Sequence, residues 1–263
     1  GDEVFGGYPT YLAHKISSYT PIQLKSLFSV FAKMLPVNFN NMSFDFKLKQ
    51  FLLGLGYSPG IRHQYWLGSF NKNDKNKGYK KDFIKTLDES SSSESLIESH
   101  LLDTTTENNW EKHLFQDMRF YLQDDMLVKV DRASMANSLE VRIPYLDHRV
   151  IEFMASVPIN LKYRFTTSKY LLKALGLKYF PKDIVHRSKK GFGIPIAKWF
   201  CNDLKSPLLD IANNPKSFIN SIFEKQYVHN LIKDHQRKKN NHRKLLWTLF
   251  VLENWYNEHV FGK

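Results

Sequence analysis

YLQDDMLVKVDRASMANSLEVRIPYLDHR, residues 121–149, interleaves acidic, basic and apolar residues at near-helical spacing, so it reads as helix rather than strand. Met126, Leu127, Val130, Met135 and Leu139 make the face expected to be buried. Asp124 or Asp125 is placed to cap a helix running through Ser138. Pro144 then interrupts a short apolar run, and Asp147 starts another helix that continues through Val157 until Pro158 ends it. Charges this dense beside a buried face either pair as a structural network or line a substrate site. The residues alone leave both readings open.

Working outward, Trp110, Leu114, Met118 and Leu122 recur every fourth residue and predict a helix over 109–122. Upstream, helices are expected over 11–17, 21–35 (with proline at its start), 44–53 and 63–70, the last two separated by the breaker LGYSPG at 55–60. The polar stretches 71–82 and 88–95 read as exposed loops. Downstream, a helix over 168–175 is closed by Gly176, a basic glycine-containing loop occupies 186–195, and a helix begins near Ile194. Two long helices follow over 224–238 and 242–259. With few segments that qualify as strands, the chain is predicted to be mainly helical.

The 263 residues are 42% apolar, enough for a substantial core. Lys and Arg number 38 against 26 Asp and Glu, and the net charge of +12 favours anionic partners. The single Cys201 excludes an intrachain disulfide framework and a cysteine-rich zinc site, which is the usage of a cytoplasmic protein. No apolar run approaches the length of a membrane span, and no membrane partner is expected. The basic stretch 234–244 lacks interleaved aromatics and any docking motif, so a solvated face is the better reading than a nucleic-acid contact. There is no HExxH, no GxSxG elbow and no complete P-loop.

Two further segments can carry chemistry. In GDEVFGGY, residues 1–8, acids on a glycine-rich turn can hold Mg²⁺, which prefers carboxylate oxygens, although acids at a helix N-terminus serve the helix dipole equally well. In RSKKGFG, residues 187–193, cations lead into glycines that let backbone amides approach a polyphosphate, with an ordinary basic surface loop as the alternative.

Taken in order, the three segments resemble the C-terminal part of the synthetase domain of glutamine-hydrolysing asparagine synthetases. The family pattern S-G-[DE]-G-x-D-E-x-F-G-G-Y is matched from its x position by Gly1 to Tyr8. Residues 124–153 are similar to the family's longest signature, RSKKGFGIPIAKWF at 187–200 to its next, and HRKLLWTLFVLENWY at 242–256 to its terminal helix. The resemblance implies a truncated α/β nucleotide-binding domain of the adenine nucleotide alpha hydrolase-like, N-type ATP pyrophosphatase class. Residues 1–263 would form its later, mainly helical part, keeping one or two strands near the start. The glutaminase domain and the pyrophosphate-binding loop are expected to be missing, leaving a fragment inactive by itself. Such a fragment should be poorly soluble or molten, because a sheet without its central strands exposes edges and an apolar face.

The implied reaction is ATP-dependent activation of the aspartate side chain as an acyl-adenylate, followed by attack of glutamine-derived ammonia to give asparagine. ATP and Mg²⁺ are the implied cofactors. Aspartate, ammonia and the glutaminase domain of the parent chain are the implied partners, and a homodimer through the full-length protein is an assembly the family allows. By the same resemblance, Asp2 matches the magnesium-binding acid and Lys189 the lysine that stabilises charge on the α-phosphate and departing pyrophosphate. Lys190, Arg187 and Asp131 match as neighbours of the nucleotide without assigned roles. Amidation of another carboxylate, such as a sugar acid of a surface polysaccharide, and a non-catalytic basic helical binding module are the competing readings.

Overall fold

The computed structural model describes residues 1–20, 25–40, 43–88, 92–187 and 193–261. The chain divides into two compact units: Gly1–Pro21 with Leu96–Lys190, and Ile22–Ser95 with Gly191–Lys263. Among the described residues the architecture is helical throughout, and β-pairing is confined to two isolated bridges, Tyr79 with Phe223 and Arg164 with Thr167. The strands expected near the start are replaced by the one-turn helix Asp2–Phe5. This turn closes locally, through amide-to-carbonyl bonds from Phe5 to Gly1 and from Gly7 to Asp2, so no edge remains for a strand partner.

The second unit is built around the helix Arg243–Tyr256. Leu245, Leu246 and Leu249 lie on one face of it and are buried. They meet Val228, Leu231 and Ile232 of helix Lys225–Gln236, Ile219 and Ile222 of helix Phe218–Ile222, and Leu208 and Ala212 of helix Lys205–Asn213. Two buried or half-buried polar side chains satisfy helix ends that packing would otherwise orphan. The Glu253 carboxylate accepts the amides of Phe218 (3.2 Å) and Ile219 (2.9 Å). The Lys244 ammonium donates to the carbonyls of Trp66, Leu67 and Gly68 (2.8, 3.2 and 3.1 Å) at the end of helix Pro59–Leu67. Burial pulls the Lys244 pKa down to about 8, and those three carbonyls are what hold a proton there.

The expected helix over 44–53 is present as Phe44–Gly54, and that over 21–35 as Lys25–Met34; Pro21 lies outside the described residues. The polar stretch 71–82 is not a loop. It forms helix Lys72–Gly78 behind a reciprocal cap, in which the Asp74 amide donates to Asn71 Oδ1 (3.0 Å) and the Asn71 amide to the Asp74 carboxylate (3.4 Å), and it continues into helix Lys81–Lys85. Polar composition concealed a capping box that nucleates the turn without apolar periodicity.

In the first unit, Val4, Phe5, Met154 and Val157 form a smaller core, flanked by Met118, Val150, Leu171 and Leu172. Residues 109–135 are one uninterrupted helical run: Asn109–Gln116, a π-helical segment Asp117–Leu127, then Val128–Met135. Asp124 and Asp125 therefore cap nothing; they are exposed inside the π segment, whose wider turn rotates everything after it relative to an ordinary helix. The expected buried face is open at its far end, where Met135 and Leu139 are 54% and 59% exposed, since no described residue covers them. Asp147 does cap its helix, His148–Ser156, by accepting the Arg149 amide at 2.9 Å.

Candidate active site

The site grows from GDEVFGGY. After the turn Asp2–Phe5, Gly6 takes the left-handed conformation (φ 71°) that reverses the chain, and Pro9 opens helix Pro9–Ser18. Gly7 serves another purpose. A Cβ at this position would stand 2.0 Å from Asp2 Oδ1 and 2.3 Å from Lys169 Cε, so the missing side chain is the space in which these two groups meet. They form an ion pair of 2.9 Å, with Asp2 and Lys169 only 21% and 27% exposed. Lys169 reaches it from the N-cap of helix Tyr170–Gly176, held at φ 53°.

Around this pair the acids and phenols are interlocked. Glu3 is buried and accepts a hydrogen bond from the Tyr8 hydroxyl. Burial, reinforced by that carboxylate, holds the Tyr8 phenol well above its ordinary range. The Tyr8 ring meets Tyr121 edge-on at 5.6 Å. Tyr11, fully buried, donates to Asp117 Oδ2 at 2.5 Å, and burial followed by Asp117 raises its phenol strongly. His14 and His113 stack at 3.5 Å in the same unit. Glu3 is thus committed to Tyr8, whereas Asp2 presents its carboxylate to a cation.

The residues singled out from sequence fare differently. Asp2 lies at the centre of this arrangement. Asp131 is exposed on helix Val128–Met135 and Arg187 is exposed, and no described contact ties either of them to Asp2. Lys189 and Lys190 lie outside the described residues, as does most of their loop. Among the described residues, the ion network considered for 121–149 reduces to short-range neighbours, Arg142 with Glu140, Arg149 with Asp147 (2.8 Å) and His148 with Asp147 (3.9 Å). Asp124, Asp125, Lys129, Asp131 and Arg132 form no ion pair with described residues, so the dense charge there is solvated.

Tyr8, Tyr11, Asp117 and Lys169 were not singled out, and Glu3, one of the two acids read as able to hold Mg²⁺, is taken up by the Tyr8 hydroxyl. Tyr11 and Asp117 are 106 positions apart, and Lys169 is farther still from Asp2, so spacing carries no trace of either pair. A separate cavity of about 500 Å³ lies within the second unit, bordered by Asp45, Lys49, Tyr57, Tyr65, Asp74 and His242 among others, and holds none of the residues singled out from sequence.

Whether Asp2 suits a divalent cation is decided by the cradle itself. A carboxylate oxygen faces a space that a Cβ would fill, and a positive group already stands against it. A hard carboxylate oxygen is the donor type that Mg²⁺ prefers, and here Oδ1 is enclosed and held against the Lys169 ammonium. No helix among the described residues is long and apolar enough to cross a membrane.

The model of the asparagine synthase family matches residues 1–257. The chain is 27% identical over 262 residues to asparagine synthetase [glutamine-hydrolyzing] 1 of Bacillus subtilis, covering 98% of this chain and 39% of that protein. It is 32% identical over 142 residues to a putative asparagine synthetase of Mycobacterium tuberculosis (53% of this chain, 21% of that one). Over 87 residues it is 36% identical to the asparagine synthetase of Gallus gallus (30% and 15%). The chain thus spans well under half the length of these relatives, and no solved structure matches it. A family match running from the Asp2 cradle to the terminal helix leaves one conclusion: the chain belongs to the asparagine synthase family.

Proposed function

We propose that this chain is the later part of a synthetase domain that amidates the side chain of aspartate, using ATP to form an acyl-adenylate and ammonia to displace AMP. The observation that carries this reading is the family match across residues 1–257, which begins on the turn where Gly7 makes room for the Asp2 carboxylate. Asp2 would hold Mg²⁺, which when bound neutralises charge on the phosphates. Lys189 would stand against the α-phosphate and leaving pyrophosphate, where a fixed cation stabilises charge that grows in the transition state. Arg187, Lys190 and Asp131 would border the nucleotide. The buried Tyr8–Glu3 and Tyr11–Asp117 pairs fix the backbone that carries Asp2, so that the carboxylate is oriented before ligands arrive. The ATP-binding α/β sheet, the glutaminase partner and the homodimer belong to the same proposal.

The test is ATP-dependent pyrophosphate release by the complete gene product in the presence of ammonia, with and without aspartate, for the wild type and Lys189→Ala. Release that requires aspartate and falls by at least about 100-fold in the variant supports both substrate and lysine. Release indifferent to aspartate moves the activity to another carboxylate.

A further inference from the structure

The strongest unexplained feature of the site is the cation already on Asp2. A half-buried carboxylate pays a desolvation cost unless a positive group stands against it, and Lys169 meets that need at 2.9 Å. Glycine at position 7 is required for this contact as much as for any metal, because its Cβ would collide with both partners. Lys169 also adopts a left-handed backbone conformation that is uncommon for a lysine, and in doing so becomes the N-cap from which its side chain reaches Asp2. One turn on, Lys173 shares the same helix face, and its ammonium is held below the usual lysine range by burial first and by the Lys169 charge second.

We propose that Lys169 is a stand-in cation for the metal: it neutralises Asp2 while the site is without a divalent ion, and it yields the carboxylate when metal and nucleotide enter together. A divalent ion and an ammonium cannot both rest on one carboxylate oxygen without strong repulsion. Metal alone must therefore displace Lys169 at a cost. Metal with a polyphosphate brings its own anion, which can receive the released ammonium beside Lys173. Lys169 thus opposes free metal and favours the metal–nucleotide complex, a positioning role that makes loading of the two concerted. The inference rests on the reading of Asp2 as a metal ligand.

The experiment is binding, not turnover, on the complete gene product. Mn²⁺ is titrated as a paramagnetic probe, with and without a non-hydrolysable ATP analogue, into wild type, Lys169→Met, Lys169→Arg and Asp2→Asn. Lys169→Met is expected to bind free Mn²⁺ roughly tenfold more tightly than wild type, and the Mn²⁺–nucleotide complex no more tightly. Lys169→Arg, which keeps the charge, should behave like wild type, which separates loss of charge from damage to the fold. Unchanged affinity for free Mn²⁺ in Lys169→Met overturns the stand-in role; if Asp2→Asn still abolishes binding in that case, the metal reading survives alone. Mn²⁺ binding that ignores Asp2→Asn overturns both.

Discussion

The two compact units hold themselves together by different means. In Ile22–Ser95 with Gly191–Lys263, stability lies in aliphatic packing: a contiguous cluster from Phe200 to Leu249 is buried, and its polar members, Glu253 and Lys244, close helix ends. In Gly1–Pro21 with Leu96–Lys190, the apolar cluster is small and buried acids, phenols and imidazoles stand beside it; large apolar side chains are more than half exposed in both units, Phe153, Phe165, Tyr179 and Phe180 here and Met34, Phe44 and Trp255 in the other. The contrast is one of apolar cluster size, since both units bury polar side chains: Glu3, His14, His113 and Asp117 in one, and Arg62, His63, Asn220, His235 and Glu253 in the other. Buried polar groups cost more than they return unless paired, and the unit with the smaller apolar cluster leans more on pairs such as Tyr8 with Glu3 and Tyr11 with Asp117.

The comparison can be broken most directly by core truncation. Leu246→Ala should cost about 3–4 kcal/mol by urea denaturation, whereas Met154→Ala, in the smaller cluster, should cost about 2 kcal/mol. Equal losses would mean that the two cores are alike.

Acid should strike the packed unit next. Burial first, and His235 second, push the His242 pKa down to about 4. His235 is fully buried with Nδ1 accepting the His242 amide (3.1 Å) and Nε2 facing the Ala197 carbonyl (2.9 Å), a pattern only the neutral ring can satisfy, and burial lowers its pKa too. The stability tied to His242 is therefore complete above pH 6.5, and is lost as pH falls from 6.5 toward 4, because the unfolded chain takes up the proton first. A loss of up to about 3 kcal/mol is expected, and His242→Gln should flatten that part of the pH–stability curve.

A sharper probe of the polar unit is Tyr11→Phe, which removes one hydroxyl donor from the buried Asp117 carboxylate and should cost about 2 kcal/mol despite removing a single oxygen. A neutral result would remove the case that this unit depends on paired polar groups. Smallest of all, Arg149→Ala should leave the melting temperature nearly unchanged, because its pair with Asp147 faces solvent; thermal melts at two salt concentrations would reveal any larger share.

Much of the helical content was legible in the chain, because apolar periodicity and capping chemistry act within one or two turns. The helix expected over 242–259 is present as Arg243–Tyr256, with Leu245, Leu246 and Leu249 on its buried face, and Asp147 declared a helix start. The helix at 72–78 was missed because its signal is a two-residue cap rather than a stripe, and the π segment because an inserted residue leaves the composition unaltered while shifting the face. The family, too, could be read from three ordered motifs, and the match over residues 1–257 agrees with it.

By itself, then, the sequence determined most of the helices, the cap at Asp147 and the family, and it raised Asp2 as a candidate. Only the tertiary structure decided what Asp2 meets, that Glu3 belongs to Tyr8 and Tyr11 to Asp117, and that Glu253 completes a helix 34 residues before it. The physical reason is one of range. Backbone preference and helix periodicity are local, whereas the partner of a buried charge is fixed by whichever element packing brings within 3 Å, and the low dielectric there makes that choice costly to change.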